Sequence, residues 1–86
     1  QEWDHFETWM KPLADGSVAV GLFNRHESWR RMITAPWEAL GIHDRRPCRV
    51  QNVITGEDYG VYTRFFGAPV DPHDVVVVRI TPLRDK

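Results

Sequence analysis

Carboxylate side chains are the groups in this chain with the most obvious capacity for acid–base chemistry. The sequence has 12 Asp and Glu residues, and two facing carboxylates can act as general acid and general base. Most of these residues lie in predicted turns or beside other charges: Asp15, Glu27, Asp44, Glu57, Asp58, Asp71, Asp74 and Asp85. Such positions are typical of solvated loops, so the pattern does not indicate a catalytic pair.

The histidines and the cysteine also lack the spacing of a metal or nucleophile site. Zinc motifs place their ligands in closely spaced pairs, whereas the histidines are far apart, at His5, His26, His43 and His73. The chain has one cysteine, Cys48, so no disulfide can form within it. We predict no metal, no cofactor and a buried strand thiol. For His73, in a predicted turn, we expect the ring to hydrogen-bond the backbone.

Tryptophan is the residue type that suggests a binding function. The chain has 4 tryptophans. An exposed indole face can stack against a sugar ring, whereas a buried one fills a core or an interface. Trp3 lies near the N-terminus and Trp29 lies in a loop or at a strand start, so these two are the candidate carbohydrate-binding residues. For Trp9 and Trp37 we predict a core or interface position.

Short apolar segments separated by turn signals predict the fold. Asp15-Gly16 between two apolar runs predicts a β-hairpin, and further turn signals lie at 24–28, 41–47, 55–58 and 67–73. The predicted strands are 5–12, 17–24, 29–35, 48–54, 59–66 and 74–81. This spacing is typical of an all-β fold, a small antiparallel, Greek-key-like β-sandwich of about six to eight strands. Proline and glycine at the ends of 36–41 predict one short helical turn.

Two apolar runs do not alternate as a half-exposed strand does. Val18–Phe23 and Val75–Val78 are apolar at nearly every position, which is typical of strands covered on both faces. In a two-sheet sandwich, only one face of each sheet meets the other sheet. The second face therefore needs a loop, the helical turn or a separate partner to cover it.

The charge balance gives no reason to expect a polyanionic partner. The formal net charge is −1, so we predict neither nucleic acid nor a membrane surface as a partner. The pairs Arg30-Arg31 and Arg45-Arg46 are expected to be solvated loop charges. No apolar run approaches the roughly 20 residues of a membrane span, and no signal-peptide pattern is present. A chain that starts at Gln1 is compatible with an excised domain or a mature fragment.

The motifs around the first hairpin resemble those of a known family. Tryptophan, Lys-Pro-Leu, an Asp-Gly-Ser turn and an apolar strand ending in Asn-Arg open the C-terminal β-sandwich domain of α-galactosidases and α-N-acetylgalactosaminidases in glycoside hydrolase family 27. A later Trp-x-x-Leu-Gly and a closing Val-x-Pro-His turn also match. The matching positions are Trp9, Pro12, Leu13, Asp15, Gly16, Asn24, Trp37, Gly41, Pro72 and His73.

The resemblance covers residues 6–82 and implies a role without catalysis. In that family both catalytic aspartates lie on a (β/α)₈ barrel that precedes this domain, and no segment here matches the motifs around them. Residues 1–86 are then one accessory domain that packs against and stabilises a barrel hydrolysing terminal α-galactosides. The resemblance permits α-galactoside-containing sugars as ligands and a secreted or periplasmic parent. One departure is Asn52-Val53-Ile54, where the family commonly has Asp-Leu-Trp.

Two other interpretations stay open. An autonomous carbohydrate-binding module would use Trp3 and Trp29, and predicts exposed aromatics with polar neighbours. An immunoglobulin-like interaction domain predicts neither such a cluster nor a large apolar patch. The accessory domain, by contrast, predicts an exposed apolar patch where its partner is missing.

Overall fold

Antiparallel strands and one short helical turn form the described part of the chain. A computed structural model describes residues 6–25 and 28–83. The strands are Phe6–Pro12 (β1), Val18–Asn24 (β2), Arg31–Pro36 (β3), Cys48–Asn52 (β4), Asp58–Tyr62 (β5), Phe65–Val70 (β6) and Val75–Pro82 (β7). A 3₁₀ helix at Trp37–Leu40 follows β3.

The strands form two sheets packed as a sandwich. The large sheet has the strand order β1-β2-β7-β4-β5, and the small sheet pairs β3 with β6. We call the side of the large sheet that faces the small sheet its inner face, and the opposite side its outer face. The predicted all-β antiparallel sandwich with one short helical turn is confirmed, and the strands described, β1 to β7, fall within the predicted number.

Alternate residues of the paired strands point inward and form the core. The register pairs Val20 with Val78 and Val18 with Ile80, and all four side chains are buried. The rest of the apolar core comprises Leu22, Ile33, Ala35, Trp37, Leu40, Cys48, Val50, Phe66, Ala68 and Val70. Full burial of a Val, Leu, Ile or Phe side chain stabilises a fold by about 1.5–3 kcal/mol. The inner face is therefore the main source of stability.

The helical turn anchors the loop that follows it to the core. Pro36 is extended before the turn, and Gly41 ends it with φ of 77°, a left-handed conformation that costs glycine little. Trp37 is fully buried and donates its indole N–H to the carbonyl oxygen of Arg46 at 2.9 Å. The turn thus lies on the core side of the large sheet and does not cover the outer face.

The predicted strand 59–66 is wrong, because the chain breaks there into strands of different sheets. Only Thr63 and Arg64 separate β5 from β6. Arg64 adopts φ of 73°. Its N–H donates to the carbonyl oxygen of Asp44 at 2.9 Å, and its own carbonyl oxygen accepts the Trp37 N–H at 2.8 Å. Neither separating residue is a turn-forming type, so contacts with a distant loop produce this break.

The turn predicted over 67–73 is shorter than expected, because β6 continues to Val70. Pro69 lies within β6, opposite Met32. Proline cannot donate to a β-ladder but is tolerated in an edge strand, and among the described strands β6 pairs only with β3. The turn itself is therefore confined to residues 71–74.

Candidate functional site

The turn of the first hairpin is closed by a network around Asp15. Its carboxylate accepts the Ser17 N–H at 3.0 Å and the Ser17 hydroxyl at 2.6 Å, and it pairs with the guanidinium of Arg79. Leu13 closes the backbone, since its N–H donates to the Ser17 carbonyl oxygen and its own carbonyl accepts the Gly16 N–H. These motif residues therefore build the turn and tie it to β7.

Asn24 joins several segments at the opposite end of the sandwich. It is fully buried, and its Nδ2 donates to the carbonyl oxygens of Trp29 and Val70, each at 2.8 Å. Its own carbonyl oxygen accepts the backbone N–H of His73 at 2.8 Å. This bond comes from the backbone of a residue with φ of 59°, and hydrogen bonding by the His73 ring stays a prediction. Asn24 thus holds the Pro72-His73 turn against the end of β2.

Asn52 preserves the β4–β5 turn in spite of the departure from the family motif. Its Oδ1 accepts the N–H groups of Ile54 and Thr55 at 2.8 and 2.9 Å, which are contacts that a carboxylate could also make. Its Nδ2 donates to the hydroxyl of Tyr59 at 3.0 Å. Loss of the acid therefore leaves the turn intact. At the position of the aromatic residue, Ile54 is 72% exposed.

Of the two candidate sugar-binding tryptophans, one can be located. Trp3 lies outside the described residues. Trp29 is 58% exposed, with the guanidinium carbon of Arg31 at 5.9 Å from its ring centroid. Next to it, Arg30 Nε lies 3.1 Å from Asp71 Oδ1. An exposed indole with charged neighbours is one of the features that the carbohydrate-module interpretation predicts.

Trp9 lies on the outer face and crosses the neighbouring strand. It pairs with Gly21, and a Cβ added to Gly21 would lie 2.2 Å from Trp9 Cε2. The indole therefore occupies the space that any side chain at position 21 would fill. Gly21 in turn pairs with Val77, and the Val77 carbonyl oxygen accepts the Val53 N–H at 2.9 Å. Trp9, Gly21, Val77 and Val53 thus form one apolar row that crosses β1, β2 and β7 and ends in the turn after β4.

A second apolar pair extends this row toward the end of the sheet. Phe23 pairs with Val75, two positions along from Gly21 and Val77, and so projects from the same face. We call the outer-face residues Trp9, Gly21, Phe23, Val53, Val75 and Val77 the outer patch. Trp9 is 48%, Val53 55% and Val75 36% exposed. The inner-face residues of β2 and β7 include the buried Val20, Leu22 and Val78, whereas the outer patch is left partly open.

The other half of the outer face carries most of its charged side chains. Ala19 pairs with Lys11 and with Arg79, and Gln51 also pairs with Arg79. Beyond them, Arg49 Nη1 lies 2.8 Å from Asp58 Oδ2. Pro12 is exposed at the end of β1. The outer face therefore consists of an apolar end and a charged end.

Two titratable groups have pKa values that the structure explains. Hydrogen bonds from Ser17 and the charge of Arg79 lower the pKa of Asp15 to about 2, because they stabilise the carboxylate. Burial raises the pKa of the Cys48 thiol, because desolvation penalises the thiolate. Asp15 is therefore ionised over the physiological range, and Cys48 is a buried thiol, as expected.

Two clefts lie beside the loop after the helical turn. One of about 410 Å³ is lined by His43, Arg45, Arg46 and Pro47. Another of about 640 Å³ is lined by Glu38, Gly41, Ile42, His43 and Asp44. The Arg46 side chain is held in place, because its Nε donates to the Leu83 carbonyl oxygen at 2.6 Å.

Residues 6–25 and 28–83 contain no group of three or more His, Cys, Asp or Glu residues arranged to hold a metal ion. No helix in these two segments has the length and apolarity to cross a membrane.

Fold and motif contacts together define a small antiparallel β-sandwich domain. The family comparison is more specific. The family model described as the alpha galactosidase C-terminal beta sandwich domain matches residues 4–80, and the chain belongs to this family. The resemblance drawn from the hairpin motifs is therefore confirmed.

Individual relatives agree with this assignment. The chain is 29% identical over 76 residues to an alpha-galactosidase from Cyamopsis tetragonoloba, which is 88% of this chain and 18% of that protein. A GH27 β-L-arabinopyranosidase from Geobacillus stearothermophilus superposes with a TM-score of 0.86 at 23% identity, over 95% of this chain and 18% of that one. Alpha-galactosidase I from Mortierella vinacea gives a TM-score of 0.82 at 18% identity, over 88% of this chain and 20% of that one.

Proposed function

We propose that this chain is the accessory β-sandwich domain of a glycoside hydrolase of the α-galactosidase type. It docks on a catalytic (β/α)₈ barrel through the outer patch and stabilises that barrel. The observation that carries the proposal is an open apolar patch on a domain that spans only 18% of the curated relative it matches.

The distribution of polarity on the outer face supports docking through the patch. Stable interfaces have an apolar centre and a polar rim. Here the half-exposed Trp9 and Val53 lie in the apolar end, while the pairs Arg79–Asp15 and Arg49–Asp58 border it. The helical turn packs into the core with Trp37. Since the turn lies on the core side, we propose that an external partner covers the second face of β2 and β7.

The position of the chain entry supports the same partner. β1 begins at Phe6, which pairs with Asn24 at the end of β2. The Phe23–Val75 pair of the outer patch lies at this end. In a C-terminal domain, the rest of the protein precedes this entry point. A preceding catalytic domain would thus be tethered close to the outer patch.

The names of the relatives support a role away from substrate selection. The same sandwich fold occurs in an alpha-galactosidase and in a β-L-arabinopyranosidase. Since enzymes named for different sugars share this fold, we propose that sugar specificity and hydrolysis belong to the barrel. The accessory domain contributes stability.

A matched pair of valine substitutions tests the docking proposal. The experiment expresses the protein encoded by the complete reading frame that contains this chain, and measures its α-galactosidase activity and thermal inactivation. Val53 and Val61 are 55% and 47% exposed and both project from the outer face, but Val61 lies outside the patch, opposite Arg49. Val53→Glu should lower the inactivation temperature by several degrees, because it places a charge in the buried centre of the interface. Val61→Glu should leave it unchanged.

Two results would contradict the proposal. One is a complete reading frame that encodes no catalytic domain. The other is an equal effect of both substitutions on the complete enzyme, which would mean that the outer patch is not the docking surface. Thermal unfolding of the isolated chain is the control, and there both variants should resemble the wild type.

The exposed Trp29 favours carbohydrate binding as a second candidate function. An indole that is 58% exposed beside Arg31 and the Arg30–Asp71 pair offers a stacking face with polar groups around it. Isothermal titration of the isolated chain with galactose, melibiose and a galactomannan tests it. Saturable binding that is lost in Trp29→Ala would support a carbohydrate-binding module. Absence of binding would favour the accessory-domain function. The immunoglobulin-like interpretation predicts no large apolar patch, so the outer patch disfavours it.

A further inference from the structure

The tip of the β4–β5 turn is a second apolar feature next to the outer patch. Ile54 is 72% exposed and Val53 is 55% exposed, and both follow directly on β4. An exposed isoleucine at a turn tip contributes little to the stability of this chain, since it buries little surface there. Such a side chain is well suited to be buried by a partner.

This tip is held in one conformation before any partner binds. Asn52 Oδ1 accepts the N–H groups of Ile54 and Thr55, and the Asn52 carbonyl oxygen accepts the Gly56 N–H at 2.9 Å. The Thr55 hydroxyl accepts the Glu57 N–H at 3.2 Å. Because these bonds already order the turn, binding through it loses little conformational entropy.

The tip is also continuous with the outer patch. The bond from the Val53 N–H to the Val77 carbonyl oxygen is 2.9 Å long, so the tip continues the apolar row of Trp9 and Gly21 beyond the sheet. A partner that covers the outer patch would therefore reach Ile54 as well. An apolar residue on a rigid, projecting turn fits a concave apolar site better than a flat one.

We infer that Ile54 is the anchor of the interface and inserts into an apolar depression on the catalytic domain. This inference rests on the proposed function, and it adds the residue that contributes most to docking and the shape of the surface that receives it. The occupant is the catalytic domain because about four-fifths of each relative lies outside the region matched here, and because the chain enters at the same end of the sheet as the tip.

Cysteine accessibility tests this inference in the complete protein. Cys48 is fully buried, so a cysteine introduced at the surface is the reactive one in this domain. The variants Ile54→Cys, Val75→Cys and Met32→Cys are treated with a maleimide, and labelling is located by mass spectrometry. Ile54→Cys should be labelled at least tenfold more slowly in the complete protein than in the isolated chain. Met32→Cys, 64% exposed on the small sheet, should react equally in both.

The variants separate failure of the inference from failure of the proposed function. If Val75→Cys is protected in the complete protein while Ile54→Cys is labelled as fast as in the isolated chain, Ile54 is not the anchor, but the outer patch is still the docking surface. Labelling of both cysteines as fast in the complete protein as in the isolated chain would overturn both proposals.

A second comparison tests whether Ile54 contributes energy or is merely covered. Ile54→Ser should lower the inactivation temperature of the complete enzyme, and Met32→Ser should not. Asn52→Ala, which removes the turn contacts, should act like Ile54→Ser, whereas Asn52→Asp keeps an acceptor and should restore most of the stability. An unchanged inactivation temperature of the complete enzyme in Ile54→Ser would overturn the anchor role.

Discussion

At the end of the large sheet that carries the outer patch, the two faces differ more in their surroundings than in their residues. On the inner face, Val20, Leu22 and Val78 are fully buried beneath the small sheet and the helical turn. On the outer face, Phe23, Val75 and Val77 are equally apolar, yet they stay partly exposed. Apolar residues therefore indicate that a surface is to be buried, but they do not indicate whether this chain or a partner buries it.

The same contrast separates two tryptophans of the family motif. Trp37 is fully buried, with its indole N–H bonded, whereas Trp9 is 48% exposed. The first belongs to the core and the second to the outer patch. If the outer face is an interface, substitutions there should affect the isolated chain far less than substitutions on the inner face do.

The largest expected effect is that of Trp37→Ala. Removal of a buried aromatic side chain costs about 3–5 kcal/mol, and here it also removes the bond to Arg46. For a domain of this size that loss is a large part of the total stability. Trp9→Ala should cost about 1 kcal/mol, because that side chain is only half-buried. Urea unfolding of the isolated chain measures both values, and equal losses would contradict the division into core and patch.

A smaller loss is expected for Asn24→Ala on the inner side. The change removes the amide that donates to the carbonyl oxygens of Trp29 and Val70. A buried group left without its partner costs about 1–3 kcal/mol. Asn24→Asp should be at least as destabilising, since it replaces the donor by a buried carboxylate. Unfolding in urea of the two variants, compared with Asn52→Asp at the exposed turn, checks this expectation.

Gly21→Ala should have a still smaller effect on stability and a clear one on the outer patch. The added Cβ would collide with the Trp9 indole, which can move outward because it is half-exposed. We expect a loss of about 1 kcal/mol and a displaced Trp9. The indole N–H resonance of Trp9 in NMR spectra would shift, while that of Trp37 would not. An unshifted Trp9 signal would show that the indole does not lie across Gly21.

The smallest expected effect concerns the charged end of the outer face and depends on pH. The folded-state pKa of Asp15 is lowered from 3.8 to about 2, so its contribution to stability is present above pH 4. That contribution is lost as the pH falls toward 2. Asp15→Asn should therefore be slightly less stable than the wild type at pH 7, and the difference should vanish near pH 2. Because the pair with Arg79 is exposed, added salt should also reduce the difference. A constant difference from pH 7 to pH 2 would contradict the assignment.

Local patterns predicted most of the fold. The Asp15-Gly16 hairpin, the 36–41 helical turn and the strands that became β1, β2, β4 and β7 follow from turn chemistry and apolar runs, which act over a few residues. The break at Arg64 could not be predicted in this way, since the carbonyl oxygen of Asp44 and the N–H of Trp37 stabilise it. Strand pairing across the sandwich likewise depends on residues far apart in the chain.

The candidate site was predictable only in part. The two unbroken apolar runs indicated that β2 and β7 have a second face to be covered. They did not indicate that Gly21 makes room for the Trp9 indole, or that Val53 continues the row beyond Val77. Both facts depend on register, and register is set by pairing between strands.

The sequence by itself determined the family, the sandwich architecture and the absence of the family's catalytic motifs, because these depend on residue types at fixed local spacings. Only the tertiary structure decided which apolar residues became core and which became the outer patch. The physical reason is that every strand has two faces, and the neighbour that covers each face is chosen by the packing of the whole sheet.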